Sequence, residues 1–93
     1  MTSIQSGKSF EQLYSEISQK ISTGDSESGS VRLVRAGTHA IGKKIVEEAA
    51  EVWMAAEYQG KEALALEISQ LLYHVQLLMH AHDLSMEDIY ENL

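Results

Sequence analysis

The stretch that decides the fold reads Lys44-Ile45-Val46-Glu47-Glu48-Ala49-Ala50-Glu51. Lys44, Glu47, Glu48 and Glu51 stand at i, i+3, i+4 and i+7, the spacing that brings side chains to one face of an α-helix. Each like-charge pair on such a face destabilises an exposed helix by about 0.2–0.5 kcal/mol. A solvated charged face is the ordinary explanation of an acidic cluster, and the helical wheel argues against it here. At about 100° per residue, Ile41, Ile45, Ala49, Val52 and Ala56 form an apolar arc directly beside Glu51, Lys44 and Glu48. Met54 lies on the other flank, and Val46 and Trp53 lie nearly opposite. The remaining polar arc, Lys43 with Glu57, is well away. The glutamates therefore border the packing face. Carboxylates at the edge of a core need a cation or a proton, and several oxygen ligands on a rigid helix suit a hard cation such as Mg²⁺.

Outward from this stretch, the helix is expected to run from about Thr38 to Tyr58, with Gly60 at a helix-ending position. A further helix runs from about Lys61 to His80. Leu64, Ile68, Leu71, Leu72, Val75, Leu78 and Met79 give it a broad apolar face, with Glu67 inside its edge and Gln70 and His74 at i+3 and i+7. If the two helices pack antiparallel, Glu67 faces the first cluster; a salt bridge from Glu67 to Lys44 is the plainer alternative. Towards the N-terminus, Ser9 and Gln12 form a capping-box pattern, followed by Phe10, Leu13, Tyr14, Ile17 and Ile21 at helical spacing. Residues 22–30, Ser-Thr-Gly-Asp-Ser-Glu-Ser-Gly-Ser, have the composition of a flexible loop, and periodicity does not decide residues 31–36. Ser85 caps a short last helix, with Asp88 three residues on. No segment alternates as a strand would, and the chain has no proline. The fold class is all-α: a helical hairpin with shorter flanking helices.

With 93 residues, the chain reads as one domain over 1–93. A domain this small buries roughly 60% of the surface its unfolded chain exposes and is marginally stable alone. No cysteine is present to staple it or to hold zinc. The apolar faces of the two long helices exceed what one hairpin can cover. A homodimer is therefore expected, its long helices forming a four-helix bundle with the sites beside the subunit interface. The net charge of −7 argues against nucleic acid, which needs a basic face. It allows a polyphosphate substrate only where metal ions mediate the contact. Met1 to Phe10 contains no apolar run of the secretory kind, and no stretch approaches the ~20 apolar residues of a membrane span. A soluble, cytoplasmic protein without a membrane partner is expected.

Glu47-Glu48-x-x-Glu51, followed by an acidic residue on a second helix, resembles the EExxE and ExxD pattern of the all-α, MazG-like nucleotide pyrophosphohydrolases. Within them the sequence is most similar to phosphoribosyl-ATP pyrophosphohydrolases. Gly37-Thr38-His39-Ala40-Ile41-Gly42-Lys43-Lys44 leading into Glu47-Glu48-Ala49-Ala50-Glu51 resembles that family's glycine, lysine and EEAxE block. Glu67-Ile68-Ser69-Gln70-Leu71-Leu72-Tyr73-His74 resembles its ExxDLLYH block, and Leu84-Ser85-Met86-Glu87-Asp88 its closing segment. Gln70 departs from the pattern, standing where the superfamily has aspartate, and Ser28-Gly29-Ser30 only faintly echoes the family's Ser-aromatic-Thr stretch.

The resemblance implies hydrolysis of phosphoribosyl-ATP to phosphoribosyl-AMP and pyrophosphate, an early step of histidine biosynthesis, by Mg²⁺-assisted attack of water. It implies Glu47, Glu48, Glu51 and Glu67 as metal ligands and catalytic residues, with Gln70 a weak or water-mediated ligand. Lys44, and secondarily Lys43, would contact substrate phosphate. His74 is expected to be a hydrogen-bonded structural residue, His80 and His82 solvated or paired with a helix dipole, and His39 a minor substrate contact. Trp53 and Tyr73 are expected to pack. The alternatives are a house-cleaning nucleoside-triphosphate pyrophosphatase of the same superfamily and a non-catalytic helical interaction module. A di-iron carboxylate bundle is disfavoured, because no glutamate has a histidine three residues on.

Overall fold

A computed structural model describes residues 7–93. Residues 1–6, part of the segment read above as carrying no secretory signal, lie outside the described residues. The described chain forms five helices: α1 (Phe10–Thr23), α2 (Gly29–Ala36), α3 (Thr38–Tyr58), α4 (Lys61–Ala81) and α5 (Met86–Tyr90). The all-α expectation is met, and the boundaries of the long hairpin agree with the sequence reading to within a residue.

Local chemistry explains most of the boundaries. Ser9 Oγ accepts the Gln12 N–H at 3.0 Å while Gln12 Oε1 accepts the Ser9 N–H at 2.7 Å, closing the capping box at the start of α1. Ser85 and Asp88 repeat the device at α5. α1 ends at Gly24, whose φ of 69° is left-handed and suits a residue without Cβ. The expected loop over 22–30 is shorter than its composition suggested. α1 continues through Thr23, and α2 begins at Gly29, because Ser28 caps it by accepting the Val31 N–H at 3.3 Å. Serine thus acts here as a helix initiator, a role that loop composition does not distinguish. Gly37 joins α2 directly to α3 at φ 103°, a backbone conformation closed to most side chains.

α3 and α4 are each 21 residues long and about 31 Å at 1.5 Å per residue. Only Gln59 and Gly60 separate them, so they must run antiparallel as neighbours. α1 and α2 pack across the open end of this hairpin. The core there is Ile17 from α1, Ile41 from α3 and Leu77 from α4, surrounded by Leu13, Ile21, Leu33, Val34, Ile45, Tyr73, Leu78 and Ala81. Polar contacts fix α1 and α2 in place. Gln76 Nε2 donates to Phe10 O at 2.7 Å, and Tyr14 Oη donates to Leu84 O at 2.7 Å. Tyr90 donates to the Glu11 carboxylate, and Ser30 pairs with Tyr73.

The core departs from the sequence reading on α4. Leu77 and Gln76 are fully buried, whereas Ile68 and Leu72 are exposed. One apolar face describes a helix with one neighbour; α4 has α3 on one side and α1 with α2 on another. Trp53, expected to pack, is 66% exposed in a single chain and donates Nε1–H to Glu57 Oε2 at 3.1 Å. Val46 (70%), Met54 (53%), Tyr58 (81%) and Leu66 (57%) are exposed with it. Nothing among the described residues covers this part of the hairpin.

Candidate active site

Glu48 and Glu51 lie on α3, eleven and eight residues before the hairpin turn begins at Gln59; Glu67 lies on α4, seven residues after Gly60. Antiparallel packing therefore brings them level, near the middle of the hairpin. One carboxylate oxygen from each of Glu48, Glu51 and Glu67 lies within 4.8 Å of the others. Among the described residues this is the one group of three or more such donors. Glu48 and Glu67 are partly buried and Glu51 is exposed, so the cluster straddles the edge of the packing face as the helical wheel anticipated.

Burial raises the carboxyl of Glu67 above its ordinary pKa, reinforced by its hydrogen bond with Glu51 and by the charges of Glu51 and Glu48. Each cause acts the same way: the chain brings three acids together without supplying a cation. The alternative pairing of Glu67 with Lys44 does not occur. Lys44 Nζ instead approaches the Glu47 carboxylate at 3.6 Å, both side chains being about half exposed. Glu47 thus stands outside the three-glutamate group. Gln70 follows Glu67 by one turn with its side chain exposed, and Lys43 is exposed as well.

The histidines sort differently from one another. His74 is buried, and its Nδ1 lies 2.8 Å from Gln70 O. A carbonyl only accepts, so Nδ1 carries the proton. His82 is exposed at the end of α4, as expected, whereas His80 departs from the expected solvated role. His82 Nε2 shares a hydrogen bond of 2.8 Å with Thr38 Oγ1, tying the end of α4 to the start of α3. His80 is stacked on Tyr14 with ring centroids 4.1 Å apart, and its Nε2 is buried without a partner. His39 is exposed. The sequence reading missed Gln76, whose Oε1 is also buried and unpartnered; a glutamine among apolar positions gave no signal of complete burial. Three grooves among the described residues, including one of about 430 Å³ between the start of α1 and the middle of α4, contain none of Glu48, Glu51 and Glu67. With Glu51 exposed and Glu48 and Glu67 partly buried, the carboxylate cluster is open to solvent in the single chain.

A helical hairpin on which three carboxylates meet from two facing helices defines an all-α, acid-rich class of candidate site. The comparisons narrow the class. The chain matches the phosphoribosyl-ATP pyrophosphohydrolase family model over residues 10–93 and belongs to that family. It is 57% identical over 86 residues to a phosphoribosyl-ATP pyrophosphatase of Salinibacter ruber, covering 92% of this chain and 99% of the relative. It is 60% identical over 89 residues to the protein of the same name from Streptomyces avermitilis, covering 95% and 99%.

Proposed function

We propose that this chain hydrolyses phosphoribosyl-ATP to phosphoribosyl-AMP and pyrophosphate, the histidine-biosynthetic step its family resemblance implies. The observation that carries the reading is the meeting of Glu48, Glu51 and Glu67 in a chain belonging to that family. Water attacks phosphorus and the bond between the α and β phosphates breaks, releasing pyrophosphate. Such chemistry depends on positioning and on neutralising the phosphate charge.

The donor set fits a hard divalent cation. It consists of carboxylate oxygens alone, carried on two long helices. Glu48, Glu51 and Glu67 would hold Mg²⁺. A bound Mg²⁺ would supply charge neutralisation at the phosphate oxygens and a more acidic bound water. The protein's own part is to orient. A glutamate of the cluster aligns and accepts the proton of the attacking water. Lys44, on the flank of the cluster, offers a point charge to phosphate, with its present partner Glu47 able to remain in solvent.

The reading includes a homodimer. Two hairpins would cover the exposed Val46, Trp53, Met54 and Leu66 in a four-helix bundle and close the open carboxylate face. No helix among the described residues is long and apolar enough to cross a membrane, which agrees with an enzyme of cytoplasmic metabolism. The test is pyrophosphate release from phosphoribosyl-ATP with Mg²⁺, run beside ordinary nucleoside triphosphates. Release from phosphoribosyl-ATP is expected, and Glu48→Gln should reduce it about 100-fold or more while leaving the far-UV circular dichroism unchanged. Full activity in Glu48→Gln would remove that residue from the site. Release from the ordinary triphosphates alone would remove the proposed substrate.

A further inference from the structure

The spread of the three donor atoms limits how many ions they can hold. Around a hard cation with oxygens at about 2.1 Å, adjacent ligand oxygens are about 3 Å apart and opposite ones about 4.2 Å. A group within 4.8 Å is therefore close to the span of a single coordination sphere. Two cations about 3.5–4 Å apart need carboxylates that bridge them and others that hold each ion on its outer side. The two neighbouring positions that could provide an outer carboxylate do not. The Glu47 carboxylate is turned to Lys44 Nζ at 3.6 Å. Gln70, one turn beyond Glu67 on the same face of α4, is a neutral amide. Among the described residues no other His, Cys, Asp or Glu joins the group. An amide oxygen can ligate, but it adds no charge to offset repulsion between two divalent ions held so close.

We propose that the side chains of each protomer hold a single divalent cation, and that Gln70 is the residue that limits the number to one. The proposal rests on the cation reading given above. Three glutamates fill roughly half of an octahedral sphere, leaving the other positions to water and to oxygens of the substrate's phosphates. A carboxylate at residue 70 would supply the outer ligand that a second ion lacks.

The test is titration of the metal-free protein with Mn²⁺, without nucleotide, reading free Mn²⁺ by electron paramagnetic resonance. A salt concentration of about 0.15 M suppresses diffuse binding to the acidic surface. The wild-type protein is expected to bind one Mn²⁺ per chain, displaced by excess Mg²⁺. Gln70→Asp is expected to bind two, close enough to broaden each other's signals. Gln70→Asn, which stays neutral, is expected to bind one. Circular dichroism establishes that the variants are folded. Two ions per wild-type chain would overturn the proposal, and so would Gln70→Asp remaining at one. Absence of binding in every variant would overturn the cation reading beneath it, a result distinguishable from either.

Discussion

Replacing Gln76 by leucine should not destabilise this protein, although it removes a 2.7 Å hydrogen bond that holds α1 to α4. Gln76 is fully buried. Its amide nitrogen is satisfied by Phe10 O, but its Oε1 has no partner. Losing the hydrogen bond removes about 1 kcal/mol of net stabilisation. Removing a buried, unsatisfied acceptor returns about 1–3 kcal/mol. Phe10 O lies in the first turn of α1, where the helical N–H four residues on remains as its partner. Leucine is close to glutamine in volume and keeps the position filled, so no cavity term enters. The sum is a gain of about 0–2 kcal/mol. At roughly 4–8 °C per kcal/mol for a domain of this size, the melting temperature should stay level or rise by up to about 16 °C. Calorimetry at fixed protein concentration, so that self-association contributes equally, is the assay. Gln76→Ala is the control, because it empties the site and should lower the melting temperature. A loss of more than about 1 kcal/mol in Gln76→Leu would refute the reasoning, since it would mean that the Oε1 atom is satisfied and the amide is a true structural linchpin.

Three further outcomes are expected. Burial depresses the pKa of His80, and the Tyr14 backbone offsets this only in part. A depressed pKa means that the unfolded chain binds the proton more readily, so this contribution to stability is complete above the unfolded value of about 6.5 and is lost as pH falls through the folded value. The urea midpoint should fall between pH 7.5 and pH 5.5, and His80→Phe, which can still stack on Tyr14, should fall less; equal falls would remove His80 as the cause. Val46→Glu places a charge on a 70% exposed apolar position and should shift light-scattering mass from dimer to monomer at micromolar concentration; a wild-type monomer under the same conditions would refute the bundle. Leu77→Ala, at the fully buried centre of the core, should lose about 2–5 kcal/mol, measured by urea unfolding, and a loss below 1 kcal/mol would show that the core is centred elsewhere.

The sequence by itself determined the all-α class, the long hairpin and its two-residue connection, and the capping boxes at Ser9 and Ser85. These depend on local chemistry: helical spacing, side-chain oxygens beside free N–H groups, and glycine where the backbone turns. It also placed Glu48 and Glu51 at the edge of the packing face, because both lie on one helix and share its periodicity. Only the tertiary structure decided which acids meet. Glu67 approaches Glu48 and Glu51 across the hairpin, while Glu47, adjacent to Glu48 in sequence, points about 100° away around the helix and pairs with Lys44. It likewise decided that Gln76 and Leu77 are core and that His80 stacks on Tyr14. Those outcomes depend on α1 and α2 crossing the open end of the hairpin, contacts between residues far apart in sequence that no single helix's pattern encodes.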